Sequence, residues 1–445
     1  MQKVLNDFIT PDLVHSTLRR HMLVDGLDLV IDFEKSLGSR IYDSLRDRYF
    51  IDFFSYFATN PIGLNHPHLT SATSQRLLAR AAQNNPSNPD VYSVEMAEFV
   101  YTFARVAKPD YMKYLFWISS GTLAVENALK VAFDWKVRKN FAKGIREEKG
   151  HQILHFQQAF HGRSGYTLSM TNTFDARKTQ YFAKFNWPRV LNPKLHFPLT
   201  TDKLRHVEAS EEESVRQIRQ ALADFPDDIA AILIEPIQSE GGDNHFRPEF
   251  FRQLRSIADD HELLLIFDEV QTGMGLTGKM WASEYFVKPD IIAFAKKAQV
   301  GGIMVSGRID DVPDNVFHVA SRINSTWGGN LSDMVRCRLF LEIIEAENLL
   351  AKVESDGEYL LGRLQDLERE FPGRVSNARG RGLFCAIDFP DAELRHAVRR
   401  KAFENLLIIL PCGERSLRFR TTLDIPRADL DKGLDILQRS IGEVV

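Results

Sequence analysis

Short, strongly apolar runs alternate through the middle of the chain with longer stretches whose apolar positions recur at helical spacing. The runs Tyr114–Ile118, Ile153–Phe156, Ile229–Ile234 and Leu263–Phe267 read as buried strands, and Val94–Ala104 and Ala124–Trp135 read as helices. Strands that alternate with helices predict an α/β fold: a mostly parallel sheet covered on both faces. Before it, residues 22–54 alternate apolar and polar positions, with turn signals at Asp25-Gly26 and Gly38-Ser39 and a last strand near Tyr49–Phe54. Beyond residue 335 come two amphipathic helices, Met334–Glu347 and Gly357–Phe371, and then short strands. That tail predicts a smaller α+β domain, which the N-terminal strands are expected to join. The expected division is therefore 1–70, an N-terminal segment belonging with the small domain, 71–334, a large domain, and 335–445, the small domain.

Composition narrows the classes. The chain has 445 residues, 44% of them hydrophobic and 26% charged, enough apolar material for large cores and too much for bulk disorder. A formal charge of −4 leaves no basic stripe for a nucleic acid. Apolar runs such as Leu263–Phe267 fall far short of the roughly 18 residues of a membrane span, and Met1–Asp7 lacks the apolar core of a secretory signal. Cys337, Cys385 and Cys412 match neither a disulfide framework nor a metal knuckle, so reduced thiols and a cytoplasmic setting are expected.

Five segments carry candidate chemistry. Asp268 ends the buried run Leu263–Phe267, and in an open parallel sheet ligands gather at the carboxyl ends of strands. A carboxylate buried there needs a cation such as a protonated pyridine nitrogen; alternatively it caps the next helix. Lys296 and Lys297 end another apolar run, Ile291–Ala295, where a desolvated amine could form a Schiff base or where two lysines could simply meet water. Ser119-Ser-Gly-Thr122 opens the helix at Ala124, as an anion cup or as an N-cap. Phe160, within Gln158–Gly165, offers a face for a flat ring, and Asn324–Asn330 sets a hydroxyl beside a glycine turn. A lysine for an imine, an acid for a pyridine nitrogen, a stacking aromatic and a phosphate cup share one explanation, pyridoxal phosphate.

The order and spacing of these pieces resemble the class III (ω-) aminotransferases, a fold-type I group, over nearly the whole chain. Met22–Asp28, Pro86–Ser93, Ala124–Lys130, Ala159–Ser169, Glu235–Asp243, His245–Phe251 and Asn324–Asn330 are most similar to the branch that acts on the ε-amine of lysine. The resemblance implies pyridoxal 5′-phosphate, L-lysine and 2-oxoglutarate as substrates, and a homodimer with shared sites; ornithine or 4-aminobutyrate is the alternative amine donor. It also implies roles. Lys296 resembles the cofactor-bonding lysine and Asp268 the partner of the ring nitrogen. Gln271 is similar to the residue near the ring 3′-oxygen, Phe160 to the stacking aromatic with His161 beside it, and Gly121 and Thr122 to the phosphate cup. Thr326 resembles a phosphate ligand supplied by the other subunit, and Asn324 beside it a substrate contact. Arg163 is similar to the arginine for the substrate carboxylate distant from the reacting amine. Arg418 resembles the one for the α-carboxylate of the keto acid, and Glu240 the carboxylate that masks it, which predicts a Glu240–Arg418 pair. Thr421 and Thr422 stand where the class usually carries two prolines.

Overall fold

The computed structural model describes residues 9–445; the Met1–Asp7 stretch considered above as a signal lies outside them. A seven-stranded sheet runs in the order Met112–Ile118, Gly301–Ser306, Ile291–Phe294, Leu264–Asp268, Ile229–Ile234, Gln152–Phe156, Arg189–Val190. Its last five strands are parallel, as the alternating pattern predicts. Gly301–Ser306, not anticipated from the sequence, is antiparallel to both neighbours. Too few residues separate it from Ile291–Phe294 for the crossover of about a dozen that a parallel return needs. One face carries the helix Gly121–Ala142, which buries Val125, Leu129, Ala132 and Trp135. The other carries Thr201–Asp224 and Pro248–Asp260, packed through Ile218, Phe250, Phe251 and Leu254. Both faces are apolar because every residue of Ile229–Ile234 and Leu264–Asp268 is buried.

The second sheet joins the ends of the chain. Ile31–Leu37, Arg40–Asp43 and Arg48–Phe53 continue into Leu407–Cys412, Ser416–Phe419, Phe384–Asp388 and Ser376–Arg381, the junction being a parallel pairing of Leu407 with Ile51. The helix expected from Met334 starts at Leu331, where Asn330 caps it by accepting from the Ser332 amide. The helix expected from Gly357 starts at Leu349. Gly357 is interior to it and lies directly against the backbone of Gly382, where a side chain would not fit.

Directly after Arg48–Phe53 the chain makes one left-handed turn, Ser55–Ala58, with φ between 36° and 64°. Such a conformation costs roughly 1–2 kcal/mol per non-glycine residue. Asp52 offsets part of that cost by accepting from the amides of Phe54 and Ser55 at 2.8 and 2.9 Å. Among the described residues no helix is long and apolar enough to cross a membrane, and the three cysteines are unpaired and buried.

Candidate active site

The carboxyl ends of the parallel strands open into a cavity of about 450 Å³. Asp268 closes the strand Leu264–Asp268 and points into it. Its Oδ1 accepts from the Val270 amide at 3.0 Å, and its Oδ2 lies 2.7 Å from His161 Nδ1. The histidine therefore does more than lie beside an aromatic: it fixes the carboxylate. Both side chains are buried.

Lys296 follows the strand Ile291–Phe294 and lines the same cavity. Burial, with Arg418 and Arg420 nearby, brings its ammonium down to about 7, against the pull of Asp268 and Glu235. Lys297 turns the other way and donates to the Ala58 carbonyl at 3.0 Å, inside the left-handed turn. Of the two lysines only Lys296 reaches the cavity.

The strand Met112–Ile118 feeds the helix that starts at Gly121. Ser120 makes no side-chain cap, so the positive helix end stays open to an anion. Thr122 Oγ1 is held 2.9 Å from Ser164 Oγ and 2.8 Å from Thr167 Oγ1. A methyl at Gly121 would stand 2.6 Å from Val270 Cγ1, so only glycine lets the helix start and the turn after Asp268 share this edge of the cavity. Gln271 also lines it, its buried Oε1 unpartnered. Phe160 presents its ring to the cavity while its amide donates to Glu235 Oε1 at 2.9 Å. An amine at Lys296, a carboxylate at Asp268, an aromatic face and an open helix start fit a flat cationic ring bearing an aldehyde and a phosphate.

The substrate side is cationic. Arg163 stands at the cavity wall, exposed, and makes no ion pair among the described residues. Arg418, on the strand Ser416–Phe419, is buried and donates to Ser239 Oγ at 3.0 Å. Arg420 donates to the same oxygen and pairs with Asp243 at 2.6 Å, with both side chains wholly buried. The expected Glu240–Arg418 pair is not formed. Glu240 Oε1 instead accepts from Thr173 Oγ1 at 2.8 Å and Lys178 Nζ at 2.5 Å, because the loop carrying these two donors draws the carboxylate away from the arginine. Asn324 and Thr326 do not reach this cavity; both are exposed on the loop before Gly328.

Three groups in or beside the cavity went unnoticed in the sequence. Glu235 follows the strand Ile229–Ile234, and the strand-end rule that found Asp268 would have found it too. Burial pushes its carboxyl up, and Oε2 accepts from the Ser239 amide at 3.0 Å. Val270 follows Asp268 by two residues. Lys178, outside the lining but bonded to Glu240, ends the short 3-10 helix Ala176–Lys178, which no periodicity marks.

The model of the family "Aminotransferase class-III" matches residues 23–441. An L-lysine-epsilon aminotransferase of Mycobacterium tuberculosis is 49% identical over 434 residues, which span 97% of this chain and 96% of that protein. One of Streptomyces clavuligerus is 46% identical over 436 residues, spanning 97% and 94%. A solved structure of a lysine aminotransferase from M. tuberculosis in the internal aldimine form superposes with a TM-score of 0.96 at 49% identity, covering 98% of this chain and all of that one.

Proposed function

The chain belongs to the class III aminotransferases, and from that premise we propose that it transfers the ε-amino group of L-lysine to 2-oxoglutarate with pyridoxal 5′-phosphate. The products are L-glutamate and 2-aminoadipate 6-semialdehyde, which cyclises to a piperideine carboxylate. The observation that carries the reading is one cavity in which Lys296 and the Asp268–His161 pair meet Arg163, with Arg418 buried just behind the lining Ser239, and neither arginine has a carboxylate partner.

When bound, the cofactor supplies an aldehyde that captures an amine and a ring that accepts the electron pair left by the departing proton. The protein supplies the rest. Lys296 Nζ, neutral in most molecules above pH 7, takes the proton from the substrate's ε-carbon and can return it elsewhere. Asp268, braced by His161 at 2.7 Å, would hold a proton on the ring nitrogen. Phe160 would cover one ring face, Gln271 would meet the 3′-oxygen, and the helix start at Gly121 and Thr122 would take the phosphate, all four residues lining the cavity. Arg163 binds the carboxylate far from the reacting carbon, which both substrates possess. Arg418 binds the α-carboxylate of 2-oxoglutarate, and lysine presented by its ε-amine has nothing to offer there. Glu240 is the group that neutralises Arg418 in that case. The second subunit of a homodimer brings Asn324 and Thr326. The exposed apolar side chains Val91, Tyr92 and Val94 support that reading, because Asn88 ties their segment to Gly329, beside exposed Trp327. Unpaired, buried thiols fit a reducing cytoplasm.

The test is a donor panel of lysine, ornithine and 4-aminobutyrate with 2-oxoglutarate, read as glutamate formed. Ornithine is one methylene shorter than lysine, so kcat/KM for lysine should exceed it by roughly 10–200-fold. A higher kcat/KM for ornithine or 4-aminobutyrate would overturn lysine as the substrate.

A further inference from the structure

We propose that Lys178, together with Thr173, is the second docking point of the Glu240 carboxylate, and that it sets how the cavity divides its time between the two substrates. The inference rests on the reading of Glu240 as the group that masks Arg418. Arg418 is a buried guanidinium whose Nε has no partner and whose neighbour Arg420 carries the same charge. Among the carboxylates around it, Asp243 is committed to Arg420, and Glu235 already accepts two backbone amides. Of these three carboxylates only Glu240 keeps an oxygen without a partner. Its Oε2 is buried and unpartnered, while Oε1 is held by Lys178 and Thr173. Two cations, one buried and one half-buried, therefore compete for one carboxylate.

The competition has a direction. When the α-carboxylate of a keto acid occupies Arg418, Glu240 must leave, and without a cation elsewhere it would stand as an unpaired charge beside a second carboxylate. Lys178 is that cation. Its neighbour Arg177 cannot replace it, being exposed and engaged with Asp175. With lysine bound, Arg418 takes Glu240 back, and Lys178 is left to water. Lys178 thus favours the dicarboxylate state and acts through Glu240, as a positioning residue.

The test compares Lys178→Met, Lys178→Arg and Glu240→Gln holoenzymes. Binding of glutarate, an unreactive dicarboxylate, is measured by calorimetry, and each half-reaction is followed by stopped-flow absorbance. In Lys178→Met the glutarate Kd should rise about tenfold, the scale of one charge-assisted hydrogen bond. The ratio of kcat/KM for 2-oxoglutarate to that for lysine should fall by about the same factor, and Lys178→Arg should restore both. Adding Lys178→Met to Glu240→Gln should change neither quantity by more than about twofold, because the remaining contact of Lys178, its Nζ 5.9 Å from the Phe160 ring centroid, is at the outer limit of a cation–π interaction. If Glu240→Gln shifts the ratio while Lys178→Met leaves it and the glutarate Kd at wild-type values, the Lys178 inference falls alone. If Glu240→Gln leaves the ratio unchanged, the masking reading falls first and takes this inference with it.

Discussion

Lys296 and Lys297 are adjacent, yet they sit in opposite chemical situations. A φ of 28° at Lys296, outside the region most residues favour, turns its side chain into the cavity and its successor toward Ala58. Replacing Lys296 by Ala should abolish transamination, whereas Lys297→Ala should keep the absorbance of bound cofactor and lose stability at the left-handed turn. The two also titrate differently from ordinary lysines. Burial lowers both, Lys296 to about 7. A lowered pKa means that the amine is neutral, and nucleophilic, above the shifted value. In cofactor-free protein the rate of recombination with pyridoxal phosphate should therefore rise about tenfold per pH unit below 7 and level off above it. A rate that kept climbing toward the ordinary lysine value of about 10.4 would show that the reactive amine is not Lys296.

At the scale of elements, the turn after the strand Ile229–Ile234 matters most, because it carries Ser239, Glu240 and Asp243 to three different partners. It closes on a two-way backbone bridge between Gln238 and Asn244, at 3.0 and 2.8 Å. Asp243 anchors it to Arg420, whose guanidinium lies 3.6 Å from the Phe384 ring centroid. Asp243→Ala would leave a wholly buried guanidinium without its carboxylate, a loss of roughly 3–5 kcal/mol. Urea denaturation should show that drop, and adding Arg420→Met should recover part of it; a drop within 1 kcal/mol would mean the pair contributes little. The same region marks what the sequence could and could not tell. Asp268 and Lys296 were legible because each ends a buried apolar strand, and a strand end is a position in space as well as in sequence. Gly301–Ser306 was missed because its two glycines and three apolar residues are too short a run to stand out. The left-handed turn at Ser55–Ala58 contains no Gly or Asn to announce it; it exists because Asp52 and Lys297 hold it from outside. Glu240 was found, but its partner was not, since Lys178 arrives by tertiary folding alone. Thr421 and Thr422 lie between two backbone bonds that fix the chain on either side of them. Arg420 donates its amide to Phe53 and Leu423 to Pro61, at 3.0 and 2.8 Å. Both threonine hydroxyls are nevertheless buried and unpartnered.

For the whole molecule the question is what completes the phosphate site. Within one chain the cavity offers the helix start at Gly121 and Thr122, while Thr326 stays outside on an exposed loop. That loop is held by Asn88, which donates to the Gly329 carbonyl at 2.9 Å, and it adjoins large exposed apolar side chains: Trp327 at 48% and Tyr92 at 79%. Tyr101, 70% exposed, lies on the helix Val94–Val106 that follows. Aromatic side chains this exposed cost solubility in a monomer and are the usual anchors of an interface. The protein should therefore sediment as a dimer at micromolar concentration. The two roles of the loop can then be separated. Trp327→Glu places a charge in the interface and should shift the sedimentation coefficient toward monomer, with loss of cofactor on dialysis. Thr326→Ala removes one hydroxyl and should leave the dimer intact while cofactor dissociates about tenfold faster, the worth of one hydrogen bond to a charged group. A wild-type monomer that retains its cofactor, with Thr326→Ala indistinguishable from it, would mean that each chain completes its own phosphate site.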